Sequence, residues 1–166
     1  MFVIRLVKTG MVASAALFAL LVTWNNIADY DSNYQFVRHT LSMDTTFPDN
    51  ALRGRAITSP TLWAVGYWAI ILGEAATGLV LGAGALRLGL ALRAPVAVFN
   101  AAKPWVMAGV GIGFLVWFTG FMVVGGEWFL MWQSKTWNGQ QPAFRFYMTL
   151  LAIAIFVSLR EGDTDA

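Results

Sequence analysis

Few side chains in this sequence could do chemistry, and they fall into three groups. The first is Glu74, a lone carboxylate in the middle of the apolar run 62–86. At ~1.5 Å of rise per residue, a helix of that length crosses the ~30 Å hydrocarbon core of a bilayer and puts Glu74 near the midplane. A carboxylate at that depth costs about 2.5–3.5 kcal/mol on insertion scales, so it must be protonated, paired or wetted. As a functional group it would relay protons or hold a ligand. As a structural one it would be a protonated glutamate bonded to a tyrosine, a tryptophan or a backbone carbonyl across a bundle, locking helix register. No second acid and no base lies near its depth in the other apolar runs, and a proton wire needs more than one stop.

The second group is Glu127 and Arg145, one closing the third apolar run and the other opening the fourth. They would form an interfacial salt bridge that clamps a hairpin, or Arg145 would anchor an anionic ligand with Gln133, Gln140 and Gln141 nearby. The third group surrounds His39, the only histidine, with Met43 and Asp44. His and Met are common haem ligands, but residues i and i+4 share one helix face and cannot approach an iron from opposite sides. A metal site from His39, Asp44 and Asp49 matches no recognised spacing. His39 reads as a surface histidine with Arg38 and Asp44 as neighbours. Signatures of hydrolase elbows, zinc proteases and phosphate-binding loops are absent, so neither an enzyme nor a bound cofactor is expected.

The elements that must position these groups are membrane spans. Hydrophobic residues make up 58% of the chain and charged ones 12%, against roughly 25% charged in soluble domains. Eight Trp, 12 Phe and four Tyr are many for this length, and such rings gather at membrane interfaces. A net charge of +2 without a basic stripe argues against nucleic acid as a partner. The chain has no cysteine, which removes disulfides, thiolates and Cys-based metal sites.

Four spans are expected, at about 4–27, 61–86, 104–131 and 143–160. The first follows Arg5 and Lys8; its apolar run is longer than the ~7–15-residue core of a signal peptide, and no small-x-small site precedes Asn25-Asn26, so it reads as uncleaved. Gly10, Ser14, Ala13 and Ala16 place small side chains at helical spacing. The segment 29–59 then forms a first external loop with one or two short surface helices. Tyr34, Val37 and Leu41 would line one of them, with Asp31, Ser32 or Asn33 as its cap, and Phe47-Pro48-Asp49-Asn50 reads as a turn. Ser59-Pro60 opens the second span. Tyr67, Ile70, Ile71, Thr77, Gly78 and Leu81 share the face of Glu74 and should point into the bundle, with Gly78 and Gly82 admitting a neighbouring helix.

A connection over 87–103 precedes Pro104, which opens the third span; there Gly109 and Gly113 form a small-xxx-small pair. Near its far end Glu127, Trp128 and Trp132 lie at aromatic-belt depth. The loop 132–142 carries Trp137 and the Asn138-Gly139 turn signal. Arg145 in the fourth span can snorkel to the interface. The tail 160–166 reads as disordered. Arg5, Lys8, Arg87, Arg93, Lys103 and Arg160 fall on one side, against Arg38, Arg53 and Arg55 spread over a long segment and Lys135 in a short one on the other, and this bias by density favours both termini in the cytoplasm.

At "NYQFVRHTLSMDTTFPDN", "YWAIILGEAATG", "GEWFLMWQS" and "WNGQQPAFRF" the chain resembles a family of bacterial predicted small integral membrane proteins, catalogued as a domain of unknown function. The resemblance covers nearly the whole chain and implies a four-helix inner-membrane protein of a Gram-negative bacterium. It implies no activity. The fold expected is therefore all-α, a polytopic bundle of four transmembrane helices. His39 and the stretch with Trp132, Gln133 and Trp137 would form an external cap above it, a surface suited to protein partners. The function expected is that of a non-enzymatic accessory or interaction subunit, with the bilayer and other membrane subunits, or a second copy, as partners. The alternatives are a small proton-coupled transporter or channel using Glu74, and a subunit whose cap holds haem or quinone.

Overall fold

A computed structural model describes residues 1–161, and these residues form helices and no strands. Four helical stretches are long and apolar enough to cross a membrane: Phe2–Ala28, Pro60–Leu90, Val96–Trp128 and Gln140–Ser158. The helices are named α1 (Phe2–Ala28), α2 (Tyr30–Ser42), α3 (Pro60–Leu90), α4 (Val96–Phe114) and α5 (Gln140–Ser158). α1 packs chiefly on α3, α3 on α4 and α4 on α5, while α5 returns only lightly to α1. Successive long helices run antiparallel, so α1 begins and α5 ends at the same end of the bundle.

The α1–α3 seam is built from small residues. Ala16 of α1 is buried opposite Gly82 of α3, and a methyl group added at Gly78 of α3 would come within 2.7 Å of the Leu20 side chain and 3.1 Å of its backbone nitrogen. Gly109 of α4 stands in the same relation to Leu81, at 2.7 Å from its side chain and 3.0 Å from its nitrogen. In lipid no hydrophobic force draws helices together, so backbones brought this close gain their cohesion from dispersion. The glycine spacing expected to serve packing does so.

Two boundaries differ from the sequence reading. α4 begins at Val96, so Pro104 lies inside the helix and the connection after α3 shortens from 87–103 to the residues 91–95. Proline forfeits one helical hydrogen bond; here Phe99 and Ala102, both buried, hold the preceding turns in place, and the Arg5 guanidinium lies 4.9 Å from the Phe99 ring. α2 starts at Tyr30 with Asp29 as its cap, earlier than the caps proposed at 31–33. It therefore follows α1 after a single residue and lays Val37 against Tyr67 and Ile71 of α3. Beyond it the 47–50 turn forms, with Asn50 N–H donating to the Phe47 carbonyl at 3.1 Å. A single 3₁₀ turn, Arg53–Arg55, follows.

Past Phe114 the helix widens into a π-helix over Leu115–Trp128, and Phe129 N–H donates to the Val124 carbonyl five residues back at 3.0 Å. π turns are rare and usually single, and this one contains Gly120, Gly125 and Gly126. It delivers Phe129 and Leu130 to the cap, where they pack on Met43. Met43 and Leu130 both adopt left-handed backbone, with φ of 53° and 54°, a conformation that non-glycine residues enter at a cost and that packing here fixes.

At the opposite end Glu161 turns back into the bundle. Its carboxylate lies 2.7 Å from Lys8 Nζ, 3.5 Å from Lys103 Nζ and 3.8 Å from Arg5 Nε. Lys8 and Lys103 also donate to the Leu159 carbonyl, at 2.6 and 2.8 Å. The expected disorder of the tail fails at its first residues for this reason; 162–166 lie outside the described residues.

Candidate functional site

Asn26 of α1 and Glu74 of α3 meet inside the bundle. Asn26 Nδ2 donates to Glu74 Oε2 at 2.7 Å, and the Tyr67 hydroxyl donates to the Asn26 backbone carbonyl at 2.8 Å. Glu74 is 2% exposed. The expected face on α3 is inward: Tyr67, Ile71, Thr77, Gly78 and Leu81 are buried and Ile70 is half-buried. The partner, however, is an amide side chain of the first helix, where the sequence reading had a tyrosine, a tryptophan or a carbonyl. Asn26 is the third residue from the end of α1, so Glu74 lies level with the last turn of that helix. It belongs to the cap-side part of the bundle, away from the middle, because α3 overhangs α1 and α2 turns back against the overhang.

Beside the carboxylate is a cavity of about 210 Å³. The rings of Phe36, Tyr67, Trp117, Phe121 and Phe146 wall it, and it reaches the surface where Asn33 of α2 and Pro142 of α5 are exposed. No Lys, Arg or His lines it. Glu74 lines this space, and its Oε1 has no hydrogen-bond partner among the described residues. A carboxylate so placed presents one constrained and one free oxygen to whatever occupies the cavity.

The cap residues converge as expected. His39 Nδ1 lies 2.8 Å from Asp44 Oδ2, and the ring stacks on Trp137 with centroids 4.7 Å apart and planes 12° from parallel. Gln133 Oε1 accepts the Phe47 N–H at 3.0 Å, and the Trp132 ring meets Phe47 edge to face at 5.9 Å. Thr45 Oγ1 donates to Ser134 Oγ at 2.9 Å, a further tie between the two loops. Asp49 does not join His39 and Asp44, and among the described residues no three His, Cys, Asp or Glu side chains converge on a metal-sized space.

Glu127 and Arg145 do not meet. Both are exposed, and among the described residues no ion pair joins them. The π-helix buries Gly125 against Met131 and Gly126 against Gln140 at the start of α5, and leaves Glu127 outside. Arg55 instead closes that corner, donating to the Trp128 carbonyl at 3.2 Å with its guanidinium 4.5 Å from the Trp128 ring.

Residues 4–160 match the family model described as "Predicted small integral membrane protein (DUF2165)". The chain belongs to this family. No curated protein and no solved structure matches it. As a DUF2165 member it is an integral membrane protein, and its four long apolar helices are the spans. Asn26, Lys8, Lys103 and Glu161 escaped the sequence reading. Asn26 was visible only as half of an Asn pair ending an apolar run, and Lys8 only as a flanking charge.

Proposed function

We propose that this protein is a non-enzymatic accessory subunit of a larger assembly in a bacterial inner membrane, with both termini in the cytoplasm. The observation that carries the reading is the open seam between α1 and α5. A groove of about 650 Å³ separates these helices where they touch lightly, lined by Gly10, Ser14, Ala15, Thr149 and Ala152. Gly10 and Ser14 are exposed, and a methyl group at Gly10 would meet nothing within 4 Å. Small and hydroxyl side chains on a lipid-facing helix suit close approach by another helix. Exposed Phe47, Trp128 and Trp132 on the cap, toward the other end of the bundle, offer a second surface of interface-type side chains. The orientation draws on the Lys and Arg residues gathered at the end that bears the termini.

The test is extraction from the native membrane in mild detergent, followed by sizing and mass spectrometry of the peak. A stoichiometric membrane partner is expected, lost on Ser14→Leu while the subunit's melting temperature holds. A peak that contains this chain alone overturns the reading. A second reading, a small proton-coupled transporter, draws on the free oxygen of Glu74, but among the described residues no further acid and no base lines its cavity to continue a relay. Glu74→Gln should then abolish flux in a folded protein. A haem-holding cap finds no second axial ligand beside His39, the only histidine of the sequence, because Met43 is fully buried against Phe129 and Leu130.

A further inference from the structure

The geometry points to the cavity beside Glu74 as a binding site for a small organic cation, an ammonium group on a compact apolar body. This inference does not rest on the accessory reading, although the cavity lies further toward the cap along the same α1–α5 seam and shares Trp117 and Phe146 with the groove. It starts from an imbalance of charge. Glu74 is buried and lines the cavity, its Oε2 is held by Asn26, and its Oε1 makes no hydrogen bond among the described residues. No cationic side chain lines that space among the described residues, so the carboxylate is neutralised either by a proton or by a cation that enters from outside, and the cavity gives such a cation room.

The walls select the kind of cation. Five aromatic rings surround the space, with Trp117 and Phe146 edge to face at 5.5 Å and Phe36 and Phe121 stacked at 5.9 Å. Ring faces carry negative charge density and attract an ammonium group, and cages of such rings are a known way to hold quaternary ammonium ligands. A hard metal cation would need about six oxygen ligands, which a wall of rings does not supply. An anion would meet both the carboxylate and the ring faces with repulsion. At about 210 Å³ the space is below the ~300–1,000 Å³ of pockets for drug-sized ligands, which limits the occupant to a few heavy atoms. Asn33 and Pro142 at the mouth give it a way in from the cap side.

The experiment compares choline with 3,3-dimethylbutan-1-ol, its uncharged isostere, on the purified full chain, by ligand-observed saturation-transfer NMR and tryptophan fluorescence. Choline should bind, and the neutral isostere should bind roughly tenfold or more weakly. Glu74→Gln should remove that preference while the protein still elutes as the wild type does and unfolds cooperatively, with only a small loss of melting temperature, and Phe121→Leu should weaken choline without abolishing the preference. Equal binding of the two probes, or no binding of choline, overturns the inference. Unchanged choline binding in folded Glu74→Gln does so as well. If Glu74→Gln does not fold, the isostere comparison on the wild type and the Phe121→Leu variant decide the matter.

Discussion

Asn26 Nδ2 and Glu74 Oε2 are 2.7 Å apart, and this bond ties the last turn of the first helix to the middle of the second long helix. It fixes the relative height of two antiparallel spans. Losing the amide while keeping the acid leaves a buried acceptor without its donor, which costs about 1–3 kcal/mol. Asn26→Leu should therefore lower the melting temperature in detergent, and Glu74→Gln should lower it less, since an amide still bonds an amide. Equal stability of Asn26→Leu and wild type would show that the bond does not form.

Close helix contact predicts a contrast among glycines. Gly78→Ala and Gly109→Ala each drive a methyl group into a neighbouring leucine and its backbone, and overpacking of this kind costs about 1–3 kcal/mol. Gly111→Ala meets nothing within 4 Å; helix propensity favours it by up to about 1 kcal/mol. Thermal unfolding of the three variants should separate them in that order. A destabilised Gly111→Ala alongside neutral partners would contradict the packing.

Glu161 faces Lys8, Lys103 and Arg5 in a buried cluster. Removing one partner of a buried pair leaves uncompensated charge and costs on the order of 3 kcal/mol. Glu161→Ala should melt earlier, and restoring the carboxylate as Asp should recover part of the loss. If Glu161→Ala stays within about 0.5 kcal/mol of wild type, the range of an ordinary surface change, the turn back into the bundle is wrong.

The cysteine-free sequence allows the cap to be tested by cross-linking. Thr45 Oγ1 and Ser134 Oγ are 2.9 Å apart, so a Thr45→Cys, Ser134→Cys double variant should form a disulfide under mild oxidation, within the reach that such bonds require. A peptide map of the oxidised protein reads it directly. Free thiols after oxidation of a folded protein would mean that the two loops do not meet.

Arg145 gives the opposite expectation. Exposed and without an ion pair to Glu127 among the described residues, it should tolerate Arg145→Ala within about 0.5 kcal/mol. A double-variant cycle with Glu127→Ala should show no coupling.

The apolar runs, the inward face of Glu74 on α3, the packing glycines and the turn at 47–50 were legible in the sequence. Each is a property of a short stretch: transfer of apolar residues to lipid, a helical period of 3.6, a turn residue where backbone must reverse. The partners were not legible. Whether Asn26 reaches Glu74 depends on how far α1 has slid along α3, and a shift of one helical turn, about 5.4 Å, would part them. That register is set by contacts distant in sequence, Gly78 on Leu20 and Gly109 on Leu81. The same holds for Pro104, kept inside α4 by the burial of Phe99, and for Glu161, drawn in by cations from α1 and α4. Local hydropathy decided that the chain is a four-span membrane bundle. Only tertiary packing decided which polar groups within it meet, because a buried charge takes its partner from whichever helix the bundle brings alongside.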